Sequence, residues 1–455
     1  MADASTTSGH PAAAGSAGGT NGAASSEAGA HRFDATLEAL LRDVDARPET
    51  VRAAIRAASD ADLTARGLRG VQLNQLGAYR RWWSAERIRE IAADTVRERL
   101  WGEWEFHAHL AHFARAMDSD PDDGSPDRLR SFVRLDGWEA DRIAALAGGT
   151  GGLVVCSFHV GPFRFIPLDL YHLGFPVTIP LNRAAYDELF SIRENIGGDL
   201  RRRMGFRPVD ARTSTIGLAR ALRRGEIVFA YVDGNIGADG ETGTAVRSAV
   251  EFCGLRLRVK SGVPRLAAAL GATLLPVVAE RDGDRARVRV WSPIRPAGRL
   301  KGEAQEAFVG EATQRLYTIL ETCVRERPDQ WVSAAFLHRW REPEPEAAPA
   351  DAPSPEALDR HLADGGVLRL DPDRVVEVDG DDGPILADVR TLRAVRLPDW
   401  AAEPVRALAS EAGLDAARLA TVERTDARRL LALLGELTSR GMVMMVPSRN
   451  ATTTT

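Results

Sequence analysis

Apolar residues recur three and four apart from Phe33 to about Leu146, in segments such as ATLEALLRDV, PETVRAAIRAAS, SAERIREIAADTVRERL and EFHAHLAHFARAM. That spacing gathers them on one helix face, so residues 31–145 are predicted to form an all-helical N-terminal region. From Gly151 to about Pro296 the pattern changes. Short apolar runs (LVVCSF, PVTIPLN, EIVFAYVD, VEFCG, LRLRVK, TLLPVVAE, RARVRVW) alternate with amphipathic stretches (AAYDELFSIRENIG, TIGLARALRRG, GVPRLAAALG). The runs read as strands. Their alternation with helices predicts an α/β domain over 146–341, with a mainly parallel central sheet flanked by helices. A long helix, about Gly302 to Arg327, closes it and runs into RERPDQWVSAAFLHRW.

Three stretches lack such a pattern. Residues 1–30 are small and polar with nothing to bury, which predicts a disordered tail, and residues 449–455 form a second tail. REPEPEAAPADAPSPE, rich in Pro, Ala and Glu, predicts a semi-rigid linker over 342–355. Beyond it, over 356–448, short strands (GVLRL, RVVEVDG, PILADV) precede two amphipathic helices (EPVRALASEAG, DARRLLALLGELTSRG) and a final MVMMV strand. That order predicts a small α+β module of winged-helix-like type.

At 455 residues and 44% hydrophobic content the chain can bury a sizeable core. Its 59 basic and 64 acidic residues are well mixed and leave a net charge of −5, which gives no electrostatic case for a nucleic-acid partner. Cys156, Cys253 and Cys323 are far apart, odd in number and set among apolar residues, so they read as reduced core thiols of a cytoplasmic protein. No run approaches the roughly 18 to 20 apolar residues of a membrane span. The first residues lack the basic and apolar regions of a signal peptide, so the chain is expected to be neither secreted nor spanning.

The chemistry concentrates in VVCSFHVGPFRF. The apolar run delivers His159 to a strand's C-terminal end, where open α/β sheets bind ligands, and Gly161 in the HVGP turn allows close approach of backbone to a substrate. Free N–H groups at the helix start after Pro162 are placed to face a developing oxyanion. Acyl transfer from a thioester needs a base beside an attacking hydroxyl or amine, and histidine suits that work. A histidine that merely caps a strand has the same local signature.

Taken in order, the features from about 146 to 341 resemble the bacterial lipid A late acyltransferases, the lauroyl and myristoyl transferases. They also resemble the related phosphatidylinositol mannoside acyltransferases of the lysophospholipid acyltransferase superfamily. His159 with Gly161 resembles the family's HxGxxE or HxxxxD segment, and NRAAYDELFSIRENIG resembles its segment with an arginine before a glycine, here Arg193. ALRRGEIVFAYVDGNIG resembles the run that ends in an aspartate, here Asp233. VEFCGLRLRVKSGVPRLAAALGATLLPV resembles the stretch with a Phe-Phe-Gly turn, a helix start at Ser261 and Gly262, and a Gly-Ala-x-x-x-Pro strand. DQWVSAAFLHRW resembles the closing Gln-Trp and Arg-aromatic motif. The resemblance covers under half the chain. It implies an acyltransferase with His159 as base, acyl-CoA or acyl carrier protein as co-substrate, no other cofactor, and a glycolipid or lysolipid acceptor. The C-terminal module resembles small winged-helix peptide-recognition domains of peptide-modifying enzymes. That implies a strand edge for a peptide to extend and adds a peptide or specialised metabolite to the acceptors.

One position departs from the family. Five residues after its histidine the family carries an acid that orients the imidazole, and Arg164 stands there. A guanidinium disfavours the imidazolium instead. Three readings follow. Asp233 supplies the acid, since it lies just past EIVFAYV, at the same sheet edge if that strand runs parallel to LVVCSF. Arg164 binds an anionic group of substrate or carrier, for which its planar fork is suited. Or turnover is lost, and the fold serves as an acyl or peptide binding module. Arg193 is a helical surface residue that the resemblance makes a binder of anionic groups. Glu251 in VEF faces either solvent or the substrate.

Other signals are weaker. His107, His109 and His112 near Glu103 and Glu105 suggest a metal, but on a helix only the latter two histidines share a face, so a partly buried helix surface is the expectation and no metal is assigned. RRWW and WGEW fit either a peripheral membrane contact on the inner face or the aromatic core of a helical bundle. Basic clusters around 198–225 suit an acidic carrier or coenzyme A phosphates as well as solvated helix ends. GNIGADG lacks the Lys-Ser/Thr of a phosphate loop.

Overall fold

The computed structural model describes residues 35–119, 135–181, 206–210, 215–234, 247–283, 285–342, 351–380, 383–410 and 412–447. Both predicted tails, the AAYDELFSIRENIG helix with Arg193, the GDLRRRMG cluster and most of the predicted linker lie outside these residues.

The N-terminal region is helical as its periodicity predicts: α1 (Ala35–Arg42), α2 (Pro48–Ala57), α3 (Asp60–Ala65), α4 (Leu68–Tyr79) and α5 (Ala85–Ser119). Ser59 starts α3 in a capping box with Asp62, which satisfies two backbone donors that a helix start leaves open. Val51, Ile55, Leu63 and Val71 pack on Val96, Leu100, Trp101 and Trp104 of α5. The WGEW tryptophans are therefore core residues, with ring centroids 5.1 Å apart.

The α/β layer runs β1 (Leu135–Asp136), α6 (Ala140–Ala147), β2 (Leu153–Ser157), α7 (Ile166–His172), β3 (Val177–Leu181), β4 (Phe206–Asp210), α8 (Thr215–Arg223) and β5 (Ile227–Tyr231). It continues through the hairpin β6 (Arg247–Phe252) and β7 (Leu255–Lys260) to α9 (Gly262–Leu270), β8 (Thr273–Asp282), β9 (Arg285–Val290) and α10 (Gly302–Glu326). The seven-stranded sheet has the order β1-β9-β8-β2-β5-β3-β4. From β8 to β4 every pairing is parallel, and β9 runs antiparallel to β8. Residues of β2 divide between two cores, Val154 and Cys156 on one face and Leu153 and Val155 on the other. Burial on both faces is why LVVCS reads as an unbroken apolar run.

VEFCG and LRLRVK do not join that sheet. They form a separate antiparallel hairpin whose two-residue turn, Cys253 and Gly254, has φ of 54° and 76°. Two positive φ values give the turn twist that matches a hairpin, and glycine adopts the second without cost. The alternation of buried and exposed residues in β6 and β7 marks strands packed on one face only.

Beyond residue 350 the chain forms α11 (Pro355–Ala363), β10 (Val367–Leu370), β11 (Val375–Gly380), β12 (Gly383–Asp388), β13 (Ala394–Arg396), α12 (Asp399–Ala409), α13 (Ala416–Leu419), α14 (Arg424–Ser439) and β14 (Val443–Val446). β11, β12 and β13 make an antiparallel meander, and β10 pairs with β14. These elements have their own core around Leu358, Leu386 and Leu434. Val376 and Val389, however, pack with Leu76 and Tyr79 of the main core. The buried Arg341 guanidinium donates to the carbonyls of Val389 and Arg390.

Candidate active site

The parallel register of β2 and β5 sets Ser157 opposite Tyr231. Two residues beyond each strand end, His159 and Asp233 therefore emerge side by side at the C-terminal edge of the sheet. Nδ1 of His159 lies 2.8 Å from Oδ1 of Asp233. The His159 backbone N–H donates to both carboxylate oxygens at 3.2 and 3.1 Å, and the indole N–H of Trp331 donates to Oδ2 at 2.9 Å. Burial pushes the Asp233 carboxyl up, but the adjacent His159 ring and the hydrogen bonds from His159 and Trp331 outweigh it and hold the group below the usual carboxylate range.

An ionised carboxylate only accepts, so Nδ1 carries a proton, and in the neutral ring the lone pair is on Nε2. Among the described residues none hydrogen-bonds Nε2. The His159 side chain is 24% exposed and that of Asp233 is fully covered, so a substrate can reach the imidazole but not the acid. Aromatic rings fix the imidazole plane: Tyr231 stacks on it at 4.6 Å and Phe163 meets it edge-on at 4.8 Å. The Tyr231 hydroxyl donates to the Phe163 carbonyl at 3.0 Å, and burial pushes its phenol up, so it stays neutral.

Gly161 lies against neighbouring backbone. Its N–H donates to the Gln330 carbonyl at 2.9 Å, and a Cβ there would lie 2.7 Å from the Ala279 carbonyl oxygen. The backbone it approaches is that of β8. Gln330 completes the clamp: its side-chain amide exchanges two hydrogen bonds with the backbone of Arg281, at 2.9 and 2.7 Å. Arg281 in turn is held between Glu98 and Glu105 of α5, at 3.0 and 2.5 Å.

Arg164 lies in the 3-10 turn Phe163–Phe165, its guanidinium 4.6 Å over the Phe163 ring and 4.0 Å from Glu103. It is thus one ring removed from His159 and partly open to solvent. Arg193 lies outside the described residues. Glu251 sits on the exposed face of β6, and its backbone N–H and C=O both bond to the Gln314 side chain, whereas its neighbour Phe252 turns inward onto Trp331. The structure does not bring Glu251 to the site. Ser261 and Gly262 open α9 as the family pattern implies.

Sequence reasoning passed over Tyr231, Gln330 and Trp331 as site residues. Tyr231 stood two positions before Asp233 in EIVFAYVD, and Gln330 and Trp331 stood in DQW, but a pattern does not tell which atom of a motif meets which. Among the histidines of α5, His109 is buried with its ring edge-on to Phe165, and burial pushes it down to about 4. Among the described residues no cluster of three or more His, Cys, Asp or Glu side chains could hold a metal. Burial pushes the thiols of Cys156, Cys253 and Cys323 up, which leaves them poor nucleophiles.

A parallel α/β sheet with a histidine–acid pair at its C-terminal edge carries, here, a segment of acyltransferase type. Residues 168–342 match the family of bacterial lipid A biosynthesis acyltransferases, and over that segment the chain is lipid A acyltransferase-like. The matched residues include Asp233, Gln330 and Trp331 and begin after His159 and Arg164. No curated protein matches the chain. Among the described residues no helix is long and apolar enough to cross a membrane.

Proposed function

We propose that the protein transfers a fatty acyl group from an acyl-CoA or acyl-carrier-protein thioester to a hydroxyl or amine acceptor, with His159 as general base. The observation that carries this reading is the committed Nδ1 of His159, bound to the buried Asp233 carboxylate, on a ring that is partly open to solvent and whose Nε2 no described residue hydrogen-bonds. Nε2 takes the proton of the acceptor hydroxyl or amine as its oxygen or nitrogen attacks the thioester carbonyl. The tetrahedral intermediate collapses, the carbon–sulfur bond breaks, and the thiolate leaves with the proton returned from the imidazolium. Asp233 stays ionised throughout and stabilises the charged ring.

Arg164 binds an anionic group of the donor or acceptor, a role supported by its guanidinium being partly open and no nearer than 4.0 Å to the Glu103 carboxylate. The acceptor is a glycolipid or lysolipid, or a peptide or other metabolite presented by the C-terminal module. With a lipid acceptor the protein works in the cytoplasm, peripherally on the inner face of the membrane. Purified protein incubated with radiolabelled acyl-CoA and acyl-carrier-protein thioesters should move label to one of these acceptor classes. Label that binds and never transfers, from either donor, would favour an acyl or peptide binding module instead.

A further inference from the structure

Trp331 lies where the segment after α10 returns to the His159 turn. It is anchored on both sides: the Gly161 N–H donates to the Gln330 carbonyl at 2.9 Å, and the Val332 N–H donates to the His159 carbonyl at 3.0 Å. The turn that bears the base and the segment that bears the indole therefore move as one piece. This pairing holds the indole N–H 2.9 Å from Oδ2 of Asp233 while Oδ1 faces the imidazole. Without the indole, the buried Oδ2 keeps, among the described residues, only its share of the His159 backbone N–H at 3.1 Å. The carboxylate is then oriented about its Cβ–Cγ bond by the His159 groups alone, so the direction in which it receives Nδ1–H is no longer fixed from outside that residue.

We propose that Trp331 is a positioning residue: its indole N–H locks the Asp233 carboxylate in the orientation that holds His159 Nδ1–H, and so keeps Nε2 aimed at the acceptor. The proposal rests on the reading of His159 as base. Trp331 is fully buried and also packs edge-on against Phe252 at 5.1 Å, so packing and hydrogen bonding have to be separated.

Replacing Trp331 with 3-benzothienylalanine does so, because that residue keeps the bicyclic shape and exchanges the N–H for sulfur. The full-length variant should melt as the wild type does, while kcat falls roughly 10- to 100-fold, the scale of one hydrogen bond to a charged group, and KM for the thioester stays unchanged. The low-field proton resonance of His159 Nδ1–H should shift or broaden. Trp331→Phe, which keeps an aromatic ring without the donor, should show the same kcat loss and the same spectral change. An isostere with wild-type kcat and an unmoved resonance would overturn the proposal and leave the indole as packing alone; should the isostere melt early, the resonance in its folded fraction decides. His159→Ala measured alongside separates the two readings. If it still transfers, the base reading fails; if it is inactive while the isostere is active, only the role of Trp331 fails.

Discussion

An imidazole works as a base when one nitrogen is committed and the other is open, and at His159 the commitment comes from a residue 74 positions away. Arg164 stands where the family's acid would be local, and the parallel register of two strands brings Asp233 to the ring instead. Both residues were legible in the sequence, because strand ends in a parallel sheet share an edge. Tyr231 and Trp331 were not, because ring stacking and an indole donor depend on side-chain direction. Asp233→Asn should lower kcat by roughly 10^3- to 10^4-fold, since the amide no longer selects the Nδ1–H tautomer; steady-state kinetics with a folded variant checks this. The same carboxylate also links stability to pH. Its folded pKa lies below the unfolded value of about 3.9, so as pH falls the unfolded chain takes up the proton first. The stabilisation is complete above about pH 4 and is lost as pH drops through the lower folded value. Urea unfolding between pH 2.5 and 5 should therefore show a shallower acid slope for Asp233→Asn, and an unchanged slope would contradict it.

Elements hold this pair through contacts that no local pattern announces. Strand and helix positions followed from apolar spacing. The β6–β7 hairpin departed from the predicted sheet because its alternation, exposed on every second residue, suits one-sided packing. The tie between α5 and β8 through Glu98, Arg281 and Glu105 joins residues more than 170 positions apart and was invisible in the sequence. Arg281→Met removes the cation bonded to two partly buried carboxylates, with Arg52 the remaining charge nearby, and should destabilise the fold by about 3 kcal/mol, read as a lowered denaturant midpoint. Gly161→Ala should cost about 1–3 kcal/mol because φ is +54° and the new Cβ meets the β8 backbone. A variant as stable as the wild type would show that the turn can shift away from β8.

Across the whole molecule, the composition of the linker predicted a boundary, while the packing joins what lies on either side of it. Val376 and Val389 share a core with Leu76 and Tyr79, and Arg341 donates to the Val389–Arg390 turn. A Pro-rich segment says nothing about docking, which depends on surface complementarity between distant residues. Calorimetry of the full chain should accordingly show one cooperative transition, and Arg341→Ala should lower it or split it in two; two separate transitions in the wild type would contradict a shared core. The claim on which the rest depends is that His159 carries acyl transfer. Its most direct measurement is the rate at which radiolabelled acyl groups pass from thioester to acceptor in wild type and in His159→Ala, with thioester binding measured on the same samples. Transfer abolished with binding retained is the predicted result. Transfer at the wild-type rate in His159→Ala would contradict it.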